Sequence, residues 1–324
     1  MGKTGLFVTA VAGLLVAVPP AAVAQDYPNR LIKVIHGFPP GGNVDIISRL
    51  LAQEMAKGLG QSIIVEPKPG LAGSLAAEQV ARSDPDGYTL LVVPSAHPAI
   101  GAISKKLRYR VVEDFDWIST VSFYPFLILV RKDSRFRTLD DLINEARARP
   151  GALSYGSAGT GSILHTTVEL LANMTRTKFV HVPYRGEAPA LTGLLSGDFD
   201  FIAATTGPTT ARVKAGEIRA LAVTSKTRWR ELPDIPVVAE TTGLEDFEVI
   251  SWTAMATTAG VPPPVIARLH TELQRVLAVP EVRGRLTGMG GDVRGSTPAE
   301  LRTLVESQLS LWRRVARQQN IQAE

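Results

Sequence analysis

Short apolar runs alternate with segments of helical periodicity along almost the whole chain, and this alternation limits the possible fold more than any other feature of the sequence. An apolar run at residues 31–35 is followed by apolar residues at helical spacing from Ile47 to Met55. A second apolar run, residues 63–65, follows soon afterwards. Strands that alternate with helices predict βαβ units around largely parallel sheets. The predicted fold class is therefore α/β.

The N-terminal segment has the pattern of an export signal. Lys3 precedes an uncharged apolar segment, residues 6–18, which is followed by Ala22-Val23-Ala24. This order is typical of a cleaved secretory signal peptide. The apolar segment is shorter than the roughly 20 residues that cross a bilayer, and the alternative is an uncleaved N-terminal anchor. The sequence predicts removal of residues 1–24 and a secreted mature chain that begins at Gln25.

The remaining chain of about 300 residues is long enough to form two cores. A second α/β series begins near residue 153, after an apolar run at residues 126–130 that is interpreted as a crossing strand. The end of the chain is expected to return to the first lobe, with a second crossover near residue 248. The predicted lobes are residues 25–125 with 249–324, and residues 126–248. A simple tandem of two domains is the alternative.

Composition narrows the class of ligand. The chain has no cysteine, which excludes disulfides, thiolate metal sites and cysteine catalysis. Its net charge of +4 is carried by scattered Lys and Arg residues. This distribution suits a small anion and not a nucleic acid, which requires clustered basic residues and aromatic platforms. No metal and no cofactor are expected.

A glycine-containing loop from His36 to Asp45 joins the first predicted strand to its helix. Gly41 and Gly42 let backbone N–H groups approach a ligand closely, and the start of a helix favours anions. Ligands of open α/β sheets bind beyond the carboxyl ends of the strands, where this loop lies. The loop is therefore a candidate binding site, in which Asp45 is either a ligand contact or a helix cap.

Residues 155–162, with the sequence YGSAGTGS, occupy the same strand-to-helix position in the second lobe. They predict a second anion cradle, formed by Ser157, Gly159, Thr160 and Gly161. Leu164 stands where a dinucleotide fingerprint requires a third small residue, so a nicotinamide cofactor is not expected. Tyr155 stands where a nucleophile elbow requires glycine.

Further candidate residues follow other predicted strands. Ser95, Ala96 and Thr205 are small residues suited to contact one end of a ligand, and Tyr184 offers a hydroxyl group. Arg185 adds a positive charge but is interpreted as a surface residue, because long Arg side chains prefer solvent.

His165 and Glu169 are four residues apart on a predicted helix, a spacing that places both on one face. A zinc site needs further ligands. The pair is therefore interpreted as structural.

These motifs, in this order, closely resemble the extracytoplasmic receptors of tripartite tricarboxylate transporters, the Bug receptor family. The matching motifs extend over essentially the whole mature chain. They are Phe38-Pro39-Pro40-Gly41-Gly42 with Asp45, Asp86-Gly87-Tyr88-Thr89-Leu90-Leu91, Tyr155-Gly156-Ser157 with Gly159, Gly161-Ser162 and His165, His181-Val182-Pro183-Tyr184-Arg185-Gly186, and Leu232-Pro233-Asp234-Ile235-Pro236 with Glu240 and Gly243. The resemblance implies a periplasmic-binding-protein-like fold of two lobes that close over a carboxylate.

The resemblance also implies ligand contacts in both lobes, held mainly through backbone groups, hydroxyls and water. In the first lobe they are Phe38, Gly41, Gly42, Asp45 and Ser95. In the second lobe they are Ser157, Gly159, Thr160, Tyr184 and Thr205. The sequence departs from the family at Gly193, where Asp is common, and at residues 203–206, which are commonly polar or aromatic. The identity of the carboxylate therefore stays open.

The leading hypothesis is a periplasmic receptor with no chemistry of its own. It binds a mono- or dicarboxylate, an amino acid or an aromatic acid and delivers it, as a monomer, to the membrane subunits of a tripartite tricarboxylate-type transporter. One alternative is a sensory receptor that docks on a signalling protein. The other is a periplasmic hydrolase using Ser157 or Ser162 with His165, which is disfavoured because no orienting carboxylate or oxyanion-loop signature accompanies them.

Overall fold

The computed structural model describes residues 2, 27–160 and 162–318 of the chain. The strands in these residues are β1 (Ile32–His36), β2 (Ile63–Pro67), β3 (Thr89–Pro94), β4 (Phe115–Arg131), β5 (Ser154–Ser157), β6 (Val180–Pro183), β7 (Phe201–Thr205), β8 (Ile218–Val223), β9 (Ile250–Thr258) and β10 (Asp292–Val293). The helices are α1 (Asn43–Leu59), α2 (Ser74–Ala81), α3 (Ala96–Ile103), α4 (Leu139–Ala148), α5 (Ile163–Thr175), α6 (Glu187–Ser196), α7 (Thr206–Lys214), α8 (Pro263–Ala278), α9 (Pro280–Gly288) and α10 (Pro298–Gln318). The predicted α/β class is confirmed.

The ten strands of the described residues form one mixed sheet in the order β2-β1-β3-β9-β4-β7-β5-β6, with β8 and β10 also paired to β4. Towards one edge β1 is parallel to β2 and β3, and towards the other β5 is parallel to β6 and β7. The central strands β4 and β9 are antiparallel to each other. Each group of parallel strands therefore has carboxyl ends whose loops are suited to bind a ligand.

β4 connects the two halves of the sheet. As far as Pro125 it pairs with β9, and from Phe126 onward it pairs with β7 and β8. We call β1, β2, β3, β9, β10 and the first part of β4, with the helices packed on them, the first half. The second half consists of the rest of β4, β5 to β8 and their helices.

Helices cover both faces of each half, and the apolar side chains between the layers form the core. In the first half α1 and α8 pack on one face, and α2 with the start of α10 packs on the other. In the second half α4 and α5 lie on one face and α6 on the other. A fully buried side chain such as Leu51 contributes about 1.5–3 kcal/mol to stability. Trp252 and Trp312 are fully buried core residues.

The terminal helix α10 packs against both halves. Its first part places Leu301 and Val305 in the core of the first half, whereas Trp312 and Val315 pack into the core of the second half. The helix begins at a capping box, in which Glu300 N–H donates to Thr297 Oγ1 at 3.2 Å and Thr297 N–H donates to the Glu300 carboxylate at 2.8 Å. The helix predicted to return to the first half therefore also contacts the second.

The largest difference from the sequence-based strands is the length of β4. It begins at Phe115, whereas the apolar run predicts a start at Phe126. Polar residues interrupt the apolar pattern of the early part, and they are buried through tertiary hydrogen bonds: Thr120 Oγ1, for example, donates to the Arg294 carbonyl at 2.7 Å. A pattern of apolar residues cannot reveal a strand whose buried polar groups find distant partners.

The predicted signal peptide lies outside the described residues, apart from Gly2. None of the helices in the described part of the chain is long and apolar enough to cross a membrane.

Candidate functional site

The candidate site is a cleft of about 740 Å³ between the β1–α1 loop and the strand ends of the second half. Its lining residues are Phe38, Pro39, Gly42, Asn43, Val44, Ala158, Gly186, Glu187, Ala188, Leu191, Thr205, Gly207, Pro208, Gly288 and Met289. Volumes of roughly 300–1,000 Å³ are usual for small-molecule sites. Three of the predicted contact residues, Phe38, Gly42 and Thr205, line this cleft.

The first wall is built from the β1–α1 loop and the start of α1. Gly41 has a φ of +81°, which favours glycine, and Gly42 is the N-cap residue without a side-chain cap. Gly42, Asn43 and Val44 line the cleft. The first N–H groups of a helix have no intrahelical partner. This wall therefore presents backbone donors and the positive end of a helix dipole to the cleft.

Asp45 lies behind this wall and is buried. One carboxylate oxygen is 3.0 Å from His36 Nε2, and the other accepts hydrogen bonds of 3.0 Å from Gly41 N–H and from Arg49 Nε. The Arg49 hydrogen bond, assisted by Gly41 and His36 against the opposing effect of burial, lowers the pKa of Asp45 to about 2. The structure thus places Asp45 as an internal brace of the loop that carries Gly41, outside the lining of the cleft.

The β5–α5 loop holds the second predicted cradle. Ser157 is buried, and its Oγ is 2.6 Å from His181 Nε2 and accepts a 3.1 Å hydrogen bond from Gly159 N–H. Gly159 has a φ of +121°, and a Cβ atom there would lie 3.2 Å from the Tyr184 carbonyl oxygen. Thr160 is exposed, and Gly161 lies outside the described residues. Ala158 is the residue of this loop that lines the cleft.

Two histidines stack beneath the second loop. The rings of His165 and His181 are 4.2 Å apart, and that of His181 also stacks on Tyr155 at 4.9 Å. Burial lowers the pKa of both histidines, that of His165 to about 4. Glu169, which the sequence pairs with His165, accepts a hydrogen bond from the Tyr155 hydroxyl at 2.5 Å. In the described part of the chain no group of three or more potential ligands is arranged to hold a metal ion.

Tyr184 and Arg185 lie at the end of β6 but outside the lining of the cleft. The Tyr184 hydroxyl donates to Asp198 at 2.7 Å. A Cβ atom at position 193 would lie 2.3 Å from that hydroxyl oxygen, so Gly193 makes room for this arrangement. Arg185 is exposed, in agreement with its interpretation as a surface residue.

Ser95 and Ala96 lie at the end of β3. Ser95 is buried, its N–H donates to the Trp252 carbonyl at 2.9 Å, and its Oγ is 3.0 Å from Ser251 Oγ. Ala96 begins α3. These bonds connect β3 to β9, and neither residue is in the lining of the cleft.

Thr205 ends β7 and meets a residue that the sequence analysis did not identify. Its N–H donates to Glu187 Oε1 at 2.5 Å, and its hydroxyl donates to the same carboxylate at 2.8 and 2.9 Å. Burial raises the pKa of Glu187, although both Thr205 bonds oppose the shift. Glu187 is thus an acidic side chain in the wall of the cleft. The sequence feature that could have identified Glu187 is its position directly after Tyr184-Arg185-Gly186, at the end of a strand.

Gly288 and Met289 line the cleft although they lie at the C-terminal end of α9, which belongs to the first half. A hydrogen bond of 3.3 Å from Thr206 Oγ1 to the Gly290 carbonyl connects this segment to the start of α7. A Cβ atom at Gly290 would lie 2.9 Å from Gly207 N, so the two backbones are in close contact. No local pattern predicts this contact between distant parts of the chain.

An α/β sheet in two halves with a ligand-sized cleft between them defines a two-lobed solute receptor of the periplasmic-binding-protein type. Residues 47–321 match the model of the tripartite tricarboxylate transporter family receptor, and the chain belongs to this family. It is therefore a solute-binding receptor and not an enzyme, which confirms the resemblance seen in the sequence motifs.

Relatives support this membership. BugT of Bordetella pertussis is 30% identical over 314 residues, which cover 95% of this chain and 96% of BugT. MatC of Rhodopseudomonas palustris, solved with bound malate, is 33% identical, with a TM-score of 0.75 over 89% of this chain and 99% of MatC. Another Rhodopseudomonas palustris protein, solved with adipate, is 30% identical, with a TM-score of 0.78 over 92% of this chain and 99% of its own.

Proposed function

We propose that this chain is a periplasmic receptor that captures a small carboxylate in the cleft and delivers it to the membrane subunits of a tripartite tricarboxylate transporter. Family membership supports the role, and the malate and adipate bound by two relatives support the ligand class. In this chain the main support for the proposal is that the start of α1 lines the cleft, at Gly42, Asn43 and Val44.

Backbone donors are the means by which this cleft holds an anion. In the described residues no Lys or Arg lines it. The interaction of an anion with a helix N-terminus contributes about 0.3–1 kcal/mol, and up to about 2 kcal/mol when partly buried. Exclusion of water from the cleft strengthens each of these interactions, because the effective dielectric constant falls. Arg185, which is exposed, has at most an auxiliary role.

Ligand binding is tested by thermal unfolding in the presence of small acids, including malate, adipate, amino acids and aromatic acids. A ligand at 100 times its Kd stabilises the folded state by about 2.7 kcal/mol. We expect at least one acid to raise the Tm, and we expect Ala188→Trp, which fills the cleft, to abolish the increase. Leu195→Trp is the control, since Leu195 is exposed on the same helix and outside the lining. No increase with any acid would contradict the proposed function.

We further propose that residues 25–125 with 249–324 and residues 126–248 act as two lobes that close on the ligand. The change of β4 pairing between Pro125 and Phe126 supports the first boundary. The position of the cleft between the two halves supports the closure. Small-angle scattering is expected to show a smaller radius of gyration at ligand saturation. An unchanged radius would contradict closure.

The same role requires export. We propose that residues 1–24 are removed as a signal peptide and that the mature protein begins at Gln25 in the periplasm. N-terminal sequencing of the exported protein tests this, and a periplasmic protein that retains Met1 would contradict it.

A further inference from the structure

We propose that the cleft is matched to a carboxylate that carries an amino group, and that Glu187 selects this class over dicarboxylates. The inference rests on the proposed function and specifies its ligand. It is carried by the placement of one acidic side chain opposite a wall of backbone donors.

Glu187 is the one ionisable residue among the described residues that line the cleft. It is the first residue of α6, and Thr205 N–H and Oγ1 hold its carboxylate at 2.5 to 2.9 Å. Both bonds come from one residue, at the start of α7. A carboxylate has about four lone-pair positions on its two oxygens. Glu187 therefore keeps acceptor capacity for a donor group in the cleft.

The two walls of the cleft have opposite polarity. The first turn of α1 presents N–H donors at Asn43 and Val44, where a ligand carboxylate is favoured. The start of α7 could in principle bind a second anion, but there Thr205 already donates its hydrogen bonds to the carboxylate of Glu187. A dicarboxylate would thus bring its second negative charge close to Glu187. Burial raises the pKa of Glu187, but the two Thr205 donors stabilise its charged form. Like charges repel strongly where water is excluded.

An ammonium group reverses the sign of that interaction. It is a donor without acceptor capacity, and it forms charge-assisted hydrogen bonds to a carboxylate. An ammonium group that faces Glu187 would donate to the carboxylate lone pairs that the Thr205 hydrogen bonds do not use. The apolar residues of the lining, such as Leu191 and Met289, suit the hydrocarbon part of the ligand between its two ends. The geometry therefore favours an amino-carboxylate probe.

The test compares probes of equal chain length by titration calorimetry: succinate with 4-aminobutanoate, glutarate with 5-aminopentanoate, and adipate with 6-aminohexanoate. Aspartate and glutamate are included as α-amino probes. We expect the wild type to bind its best amino-carboxylate at least tenfold more tightly than the dicarboxylate of the same length.

Glu187→Gln keeps the shape of the side chain and an acceptor for Thr205. We expect this variant to lower the ratio of the two affinities at least tenfold. Glu217→Gln, which removes the same charge from an exposed position of the second half, is expected to leave the ratio unchanged.

Two results would overturn the inference while leaving the proposed function intact. One is a wild type that binds dicarboxylates more tightly than their amino partners at every length. The other is a ratio that Glu187→Gln does not change. The wild-type comparison does not depend on a variant. It therefore still tests the inference if Glu187→Gln does not fold. If the wild type binds neither series nor any acid of the wider panel, the proposed function fails together with the inference.

Discussion

Replacement of Asp45 by alanine is expected to lower the free energy of unfolding by about 3 kcal/mol, because it leaves a buried network without its acceptor. The carboxylate bonds His36, the Gly41 N–H and Arg49. His36 is fully buried, so water cannot replace the lost partner without a change in structure. Urea unfolding followed by circular dichroism measures the loss, with an unchanged m-value as the sign that the denatured state is the same.

Asp140→Ala is the matched control for this variant. Asp140 also lies in the first turn of a helix, α4, but it is exposed. Its removal is expected to cost less than about 1 kcal/mol, through the helix dipole alone. If Asp45→Ala costs no more than Asp140→Ala, Asp45 is an ordinary first-turn acid. Asp45→Asn keeps the shape of the side chain, and we expect it to be less destabilising than Asp45→Ala.

The stability difference between the wild type and Asp45→Ala is also expected to depend on pH. The pKa of Asp45 is about 2 in the folded protein, below its usual value of 3.8, with the Arg49 hydrogen bond as the main cause. A carboxyl group with a lowered pKa stabilises the fold above its unfolded pKa, and this contribution is lost as the pH falls through the folded pKa. The difference should be largest above about pH 4 and decrease towards pH 2. A constant difference across that range would contradict this account.

Gly37→Ala is expected to reduce ligand affinity at least tenfold and to destabilise the protein by about 2–3 kcal/mol, the upper part of the usual range for overpacking. A Cβ atom at this position would lie 2.2 Å from Gly73 Cα, with the Gly73 carbonyl carbon and oxygen both at 2.9 Å. These are backbone atoms, so the clash is relieved only if one chain segment moves. Gly37 directly precedes Phe38, which lines the cleft. Calorimetry with the best acid of the panel and urea unfolding measure the two effects.

Gly60→Ala is the control for backbone strain without a clash. Gly60 follows α1 with a φ of +70°, and a Cβ atom there would have no neighbour within 4 Å. We expect a loss of about 1–2 kcal/mol from the left-handed conformation and no change in affinity. If Gly37→Ala behaves like Gly60→Ala, the close approach of the Gly37 and Gly73 backbones does not position the cleft.

The prediction from sequence was most successful where local signals are strong. The apolar runs predicted as strands at residues 31–35 and 63–65 overlap β1 and β2, and the helical spacing from Ile47 to Met55 lies within α1. The periodicity of apolar residues is a short-range feature, because it depends only on residues a few positions apart. The sequence did not predict the early part of β4, because the buried polar residues Ser119 and Thr120 form hydrogen bonds with groups far away in the chain, such as the Ser296 N–H and the Arg294 carbonyl.

The candidate site also contains some features that the sequence predicts and others that it does not. The glycines of the β1–α1 loop are recognisable in the sequence because a tight turn before a helix needs residues such as Gly41. The roles of individual polar side chains are not recognisable. Ser157 is paired with His181 rather than with His165, and the Tyr184 hydroxyl donates to Asp198. Both partners lie on other elements, so their proximity depends on the packing of the sheet.

The sequence by itself determined the α/β class, the two glycine loops at strand ends, and membership of the receptor family, since these follow from periodicity and from motifs read along the chain. The tertiary structure decided which groups face the cleft. Only the folded chain brings Glu187 to Thr205 and places Met289 beside the start of α7. Contacts of this kind arise when elements pack, and the free energy of that packing is shared over the whole core rather than encoded in any local segment.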